Sequence, residues 1–447
     1  MPVSPARAAA FDILLRVERE SSFASELLHA AAYRQLSTAD HGLATELVLG
    51  VLRWQTSLDE EIAAASSQRI EKLDLEVLLA LRLGVYQFHW LDRIPRRAAL
   101  HESVELIKRA RKRSAAGFGN AVLRKLAEQR RRPVALGENA SAAETARALA
   151  HPLWLVERWL REYGAAATRK ICEHDQAVPR TAIRVRDAGA EAELAREGVV
   201  LAPGALLNST RRVVQGDVTK TTAFEARRVV IQDEASQLVV ALAGKSDEKI
   251  RILDCCAAPG GKTLAMADRN PQAAITAVEL HAHRGRLLEK LLRDAGARIQ
   301  IVTADARELP VGEMFDRVLA DVPCSGTGTL ARNPEIKWRL KPEDLGDLRA
   351  RQIAILCSAL GQVAPGGRMI YSTCSLEKEE NEDVIEAALE GNSAYRVLDC
   401  GAELERLRGS GELAWPDVGS LTRGAYLRTI PGVHPCDGFF AATVERS

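Results

Sequence analysis

The chain predicts an α/β domain built on a doubly wound parallel sheet, preceded by an all-helical domain and joined to it by a smaller α+β stretch. Three observations carry this expectation. At 250–263 an apolar run ends at Asp254, passes through small residues and two glycines, and opens into a helix-like segment from Lys262. Beyond it, strand-like and helix-like runs alternate, as when helices cover both faces of a parallel sheet. Ahead of it, up to about residue 130, apolar residues recur at helical spacing.

Composition sets the limits. With 447 residues the chain holds roughly three domains of ordinary size. Lys and Arg number 61 and Asp and Glu 60, a net charge of +1, so a polyanionic partner must be met by local patches. The eight cysteines form no C-x-x-C pair and show no His/Cys ligand spacing. That pattern predicts no metal and no disulfide framework, and fits reduced thiols of a cytoplasmic protein. The first residues lack an apolar signal core and no uninterrupted apolar run reaches membrane-spanning length, so no membrane partner is expected. A monomer is expected.

In chain order, Ser4-Pro5 reads as an N-cap and first helical position, followed by Phe11, Leu14 and Leu15 at helical spacing. Asp40 reads as the cap of a helix carrying Leu43, Leu47, Val48, Val51 and Leu52. Another helix runs from Leu75 to Phe88 ahead of Pro95, and two more lie around Leu100 to Ile107 and Asn120 to Leu126. These form an all-helical domain over 1–135. Its basic residues are concentrated: Lys108, Arg109, Arg111, Lys112, Arg113, Arg124, Lys125, Arg130, Arg131 and Arg132, relieved by Glu128 alone. Such density suggests phosphate-backbone contact near Asn120 and Arg124; a solvated helix face is the alternative reading.

Pro133 to Ala146 reads as a linker. An adapter over 148–245 follows, with a helix starting near His151, β-like pieces at Thr181 to Val185 and Arg212 to Gln215, and a strand turning into a helix at 229–237. The main domain spans 246–447. After the opening strand come a strand at Ile275 to Val278 closed by Glu279, a helix Arg284 to Ala295 closed by Gly296, and strands Ile299 to Thr303 and Arg317 to Ala320, ending in Asp305 and Asp321. A helix from Asp344 to Leu360 and a strand Arg368 to Ser372, leading into Thr373-Cys374-Ser375, complete the series.

Gly261-Lys262-Thr263 looks like the end of a P-loop, but Cys256 stands where that motif needs a glycine, and no G-x-G-x-x-G is present. The loop therefore predicts another nucleoside-type ligand, its backbone approaching closely at the glycines. Glu279, about twenty residues on, sits where an acid holds ribose hydroxyls. An ordinary βα turn is the plainer alternative. Glu279, Asp305, Asp321, Cys324 and Cys374 all fall at carboxyl ends of predicted strands, where open α/β sheets bind ligands. If the last two parallel strands are neighbours, their ends lie about 5 Å apart and both thiols can face one substrate atom. Cys172, Cys357 and Cys400 read as inert packing.

Three stretches taken together, Cys256-Ala257-Ala258-Pro259-Gly260-Gly261-Lys262, the Pro-Cys-Ser-Gly-Thr-Gly at 323–328 and the Thr-Cys-Ser at 373–375, resemble the S-adenosylmethionine-dependent RNA cytosine-C5 methyltransferases. Phe11-Asp12-Ile13-Leu14, the run from Leu47 to Arg53 and the run from Gly119 to Arg124 resemble a NusB-type RNA-binding domain. With Asp437-Gly438-Phe439-Phe440 near the C-terminus, the combination is similar to the Sun or Fmu family of bacterial small-subunit (16S) ribosomal RNA methyltransferases. The resemblance implies a Rossmann-like fold with S-adenosylmethionine as cofactor. It implies Cys374 as the nucleophile toward cytosine C6, Cys324 assisting release, and Asp321 and Lys262 contacting or polarising the ring. The loop from Cys256 through Ala257, Ala258, Pro259, Gly260 and Gly261 would hold the methionine end, bordered by Lys262 and Asp321, with Glu279 on the ribose and Asp305 on the adenine. Family members commonly carry Asp where this chain has Glu279. The target base must leave its stack, so a single-stranded or opened RNA site is implied. In DNA cytosine methyltransferases the Pro-Cys thiol attacks instead; the cysteine pair favours the RNA version. Arg332, Lys337, Trp338 and Arg339 are further candidates for RNA contact, with Trp338 as a core residue the alternative. The competing readings are an enzyme acting on transfer RNA, large-subunit RNA or DNA, and a non-catalytic NusB-like RNA-binding factor.

Overall fold

The computed structural model describes residues 3–33, 35–131, 135–137, 139–293, 295, 297–310 and 312–447. They form two compact units, Met1–Val178 with Leu330–Arg339, and Pro179–Thr329 with Leu340–Ser447. The 148–245 stretch is divided between them, and Arg132, Pro133 and Gly296 of the expectations above lie outside the described residues.

The first unit is helical, with helices Pro5–Glu20, Thr38–Arg53, Gln55–Ser66, Leu75–Trp90, Arg96–Arg109, Ala116–Ala127, Ala142–Ala148 and Leu153–Gln176. Phe11, Leu14, Leu47, Leu52, Leu79, Leu83, Leu106 and Leu123 share one core, the apolar positions that predicted the helices. Ser4 stands at the N-cap position, but its hydroxyl accepts from the Arg7 guanidinium and not from the helix backbone. The second helix is capped by Ser37, whose Oγ accepts the Asp40 N–H, so Asp40 lies inside the first turn and is not the cap. Gln55–Ser66 was not expected, because it buries only Leu58 and Ile62 and leaves too thin an apolar stripe to read. The expected linker contains a helix as well: Ser141 and Glu144 form a capping box, worth about 1 kcal/mol, that starts Ala142–Ala148.

Segment 330–339 completes this unit. The last carbonyls of a helix have no intrahelical partner. Here Lys337 Nζ donates to the carbonyl of Arg53 at 3.0 Å and Trp338 Nε1 to that of Leu52 at 2.6 Å. The Arg339 guanidinium donates to the carbonyls of Val17, Ser21 and Ser22. Cations thus meet the negative ends of two helix dipoles. In return Arg53 donates to the carbonyl of Ala331 at 2.9 Å, and Glu335 accepts the Ala24 N–H at 2.8 Å.

The second unit holds two sheets. Strands β1 (Ala182–Val185), β2 (Val200–Pro203), β3 (Thr210–Gln215) and β4 (Val229–Ile231) form an antiparallel sheet in the order β2-β3-β1-β4. With helices Ala190–Arg196 and Thr222–Glu225 between strands, this is a split β-α-β-β-α-β unit. The larger sheet contains β5 (Arg251–Asp254), β6 (Ala274–Glu279), β7 (Arg298–Thr303), β8 (Phe315–Asp321), β9 (Val363–Thr373), β10 (Tyr395–Leu398), β11 (Thr422–Arg423), β12 (Tyr426–Arg428) and β13 (Phe440–Arg446). Its order is β11-β12-β13-β9-β8-β5-β6-β7, with β10 on β13. From β9 to β7 all pairs are parallel, the expected Rossmann-like core; β13 runs antiparallel to β9 and extends the sheet. Cores on both faces enclose it, one through Ile252, Ile275, Leu319 and Ile370, the other through Leu253, Val318, Met369 and Tyr371. This alternation along each strand is what burial on two faces requires. Among the described residues no helix is long and apolar enough to cross a membrane, and no group of three or more His, Cys, Asp or Glu could hold a metal ion.

Candidate active site

Parallel β5 to β9 deliver their carboxyl ends to one edge, and a cavity of about 590 Å³ opens there. Its lining includes Cys256, Ala258, Glu279, Asp305, Asp321, Cys324 and Cys374. That volume lies in the ~300–1,000 Å³ range of ligand pockets.

β8 and β9 are neighbours, with Asp321 opposite Ser372, so the loops that follow them emerge side by side. The Cys324 and Cys374 sulfurs are 3.3 Å apart. The hydrogen bond to Cys374, then burial, push the Cys324 thiol well above its ordinary range. Backbones keep the loops together: Gly328 N–H donates to the Cys374 carbonyl at 2.9 Å and Gly438 N–H to the Gly328 carbonyl at 2.8 Å. A Cβ on Gly328 would lie 2.1 Å from the Gly438 oxygen, which explains glycine at both positions.

Asp321 is oriented from two sides. Ser372 Oγ donates to its Oδ1 and Lys262 Nζ to its Oδ2, both at 2.8 Å. Burial opposes the Lys262 charge, but the Asp321 carboxylate outweighs it and holds the ammonium above its usual pKa. The Phe439 ring lies 4.9 Å from the same ammonium, a cation–π contact. Asp254, at the end of β5, accepts from the Thr263 hydroxyl at 2.7 Å, and burial pushes its carboxyl up to about 6.

The loop after β5 fits a nucleoside-type ligand. Gly260 has φ +110°, and a Cβ there would meet Leu288 and Leu291 at 2.7 Å. It leads into helix Gly261–Arg269, whose first N–H groups lack intrahelical partners. Glu279 Oε1 accepts the His281 N–H at 2.9 Å, which fixes the carboxylate in the cavity wall. Asp305 is held below the usual carboxylate range by the Arg307 side chain, which engages both its oxygens. Ala257 is buried, its N–H spent on the Val278 carbonyl, and Pro259, Gly260, Gly261 and Lys262 are not among the cavity-lining residues. They shape the loop from behind.

Some expectations change. Lys337 is 1% exposed and cannot reach RNA from the carbonyl it caps; Trp338 and Arg339 are spent the same way. Cys357 is exposed on helix Asp344–Leu360, whereas Cys172 and Cys400 are buried. The basic run is thinner than its letters. Lys108, Arg109 and Lys112 pair with Glu105, Asp12 and Asp74, Lys125 donates to the Ala65 carbonyl, and Arg131 lies over Trp54 and Trp90. Arg111, Arg113, Arg124 and Arg130 are exposed and join none of the described ion pairs, and Asn120 is half-buried beside them in sequence. Sequence reasoning singled out neither Ser372 nor Glu380; both are common polar residues whose role follows only from the β8–β9 pairing.

Comparison with known proteins identifies the family. Residues 239–445 match the profile of 16S rRNA methyltransferase RsmB/F, and residues 4–128 that of the NusB family. A probable ribosomal RNA small subunit methyltransferase B of Bacillus subtilis is 33% identical over 459 residues, covering 100% of both chains. The ribosomal RNA small subunit methyltransferase B of Vibrio cholerae is 30% identical over 450 residues, covering 98% of this chain and 97% of its own. In fold, a methyltransferase homolog protein from Pyrococcus horikoshii superposes with a TM-score of 0.56 at 24% identity, over 69% of this chain and 100% of its own. A NusB-like helical region, a Rossmann-like domain with paired thiols at its strand ends, and full-length relatives together show that the chain belongs to the RsmB/F family of S-adenosylmethionine-dependent ribosomal RNA methyltransferases.

Proposed function

We propose that the protein methylates C5 of a cytosine in small-subunit ribosomal RNA through a covalent bond between Cys374 and C6, working as a monomer on a single-stranded or opened site. The observation that carries this reading is the pair of sulfurs 3.3 Å apart in a cavity shared with Asp321. Cytosine C5 is a weak nucleophile. Addition of the Cys374 thiolate to C6 moves an electron pair onto C5, where it can take up a methyl group; bound S-adenosylmethionine supplies that group as an electrophile. Transfer of the C5 proton to water and cleavage of the S–C6 bond return the aromatic ring and the Cys374 thiolate, with Cys324 assisting release. A Cys324 thiol that resists ionisation is poorly suited to the first role. Asp321, held by Ser372 and Lys262, is oriented to polarise the ring. Cys256, Ala258, Glu279 and Asp305 are assigned to the cofactor, with Ala257 and Pro259 to Lys262 shaping the loop behind them and Asp305 sharing its carboxylate between Arg307 and the adenine.

The test is methyl transfer from labelled cofactor to small-subunit RNA. Cys374→Ala abolishes transfer, and Cys324→Ala accumulates an RNA–protein adduct that resists denaturing electrophoresis. Full activity in Cys374→Ala sinks the nucleophile assignment.

A further inference from the structure

Glu380 takes no part in the chemistry above, yet it is fully buried. It ends the turn Lys378–Glu380, which follows the Cys374 loop, and its backbone carbonyl accepts from the Tyr371 hydroxyl at 2.6 Å. Its carboxylate joins none of the described ion pairs. Hydrogen bonds surround it instead. Oε1 accepts the Ser325 N–H at 2.8 Å and Gln352 Nε2 at 2.9 Å. Oε2 accepts from the hydroxyls of both Ser325 and Ser375, which lie 3.0 Å from each other. A buried carboxylate without a counter-charge is costly unless such donors satisfy it. Two of its partners are the residues directly after the two site cysteines, Ser325 after Cys324 and Ser375 after Cys374. One carboxylate therefore binds both sulfur-bearing loops at their tips. Gln352 extends the clamp, since its Nε2 also donates to the Pro323 carbonyl at 3.0 Å, on the other side of Cys324.

We infer that Glu380 is a positioning residue for the cysteine pair, clamping the two loops so that their sulfurs meet and setting a negative charge on the Cys324 side of the site. The inference rests on the proposed reaction and names how its two thiols are held in register and kept different. A carboxylate beside a thiol opposes thiolate formation, and Glu380 is among the groups that push Cys324 up, after the Cys374 hydrogen bond, burial and the Cys374 charge. Clamp and charge are separable by substitution. Glu380→Asp keeps the charge but falls one methylene short of the serines. Glu380→Gln keeps the length and removes the charge, its amide donating where the carboxylate accepted.

The experiment has two arms. The first follows iodoacetamide alkylation of the full-length protein against pH, reading the Cys324 and Cys374 peptides separately by mass spectrometry, with exposed Cys357 as internal control. In Glu380→Gln the alkylation of Cys324 sets in about half a pH unit or more below wild type; in Glu380→Asp, which keeps the charge and loosens only the clamp, the onset falls by less than in Glu380→Gln. The second arm measures methyl transfer to small-subunit RNA, where both variants lose kcat by about 10- to 100-fold at unchanged KM for RNA and cofactor, as expected when reacting groups are misplaced by less than about 1 Å. Should these variants not fold, Ser325→Ala and Ser375→Ala each remove one bond to the same carboxylate and lower kcat several-fold. An unmoved Cys324 profile in Glu380→Gln, or unchanged kcat in folded Glu380→Asp or in the serine variants, overturns the inference. The alkylation arm needs no RNA, so absence of transfer by the wild type would sink the proposed reaction while the assignment of Glu380 is still decided.

Discussion

Asp254 shows what one buried side chain does to the stability of the site. Its folded-state pKa of about 6 lies above the ordinary 3.8, because burial penalises its charge. Between those values the native state holds more protons than the unfolded chain, so its contribution is most favourable below pH 4 and is lost as pH rises through 6. The size is about 3 kcal/mol, at 1.36 kcal/mol per unit. Urea unfolding at pH 4 to 7 tests this: the fall in stability seen in wild type is absent from Asp254→Asn. Gly260→Ala tests the loop. A side chain at φ +110° that also meets two leucines costs about 2 kcal/mol or more and weakens S-adenosylmethionine binding by about tenfold, read by calorimetry. At this scale sequence legibility was uneven. Asp321, Cys324 and Cys374 could be read because strand ends are recognisable and their loops are distinctive. Lys337 was misread because a charged letter carries no record of burial, and Ser372 and Glu380 were missed because only tertiary pairing makes them partners of the site.

At the scale of elements, periodic segments with full apolar faces were readable: Leu75–Trp90, Asp344–Leu360 and β5 to β9 lie close to their expected places. Helix Gln55–Ser66 was not, because its buried face is two residues wide. The packing of 330–339 on helix C-termini is a long-range arrangement with no local signature, and its chemistry is testable. Burial lowers the Lys337 ammonium from 10.5 to about 7. Between those values the unfolded chain holds more protons than the native one, so stability rises with pH from 7 toward 10. Lys337→Met flattens that rise and stabilises the helical unit below pH 7 by an amount on the order of 1 kcal/mol or more. Denaturant titrations at pH 6.5 and 9.5 read the difference through tryptophan fluorescence, since Trp54, Trp90, Trp154, Trp159 and Trp338 all belong to this unit.

For the whole molecule, the sequence gives domains in series, whereas the chain enters and re-enters its units: it leaves the first after Val178, returns for Leu330–Arg339, and leaves again. A serial reading has no means of finding that return, because the ten residues involved look like part of the Cys324 loop they follow. An isolated 1–178 fragment therefore lacks the groups that cap two of its helices. A synthetic peptide of sequence 330–339 raises its Tm by about 2–5 °C at saturating concentration, measured by circular dichroism, while a peptide with the Trp338 and Arg339 positions changed to Ala has no effect.

The same return has a consequence during synthesis on the ribosome. About 160 codons separate the end of the helices from the peptide that finishes their packing. At roughly 5–20 residues per second, the nascent N-terminal half waits roughly ten to thirty seconds with two carbonyl-lined helix ends uncovered, so its maturation is timed by translation of the methyltransferase domain and not by its own emergence.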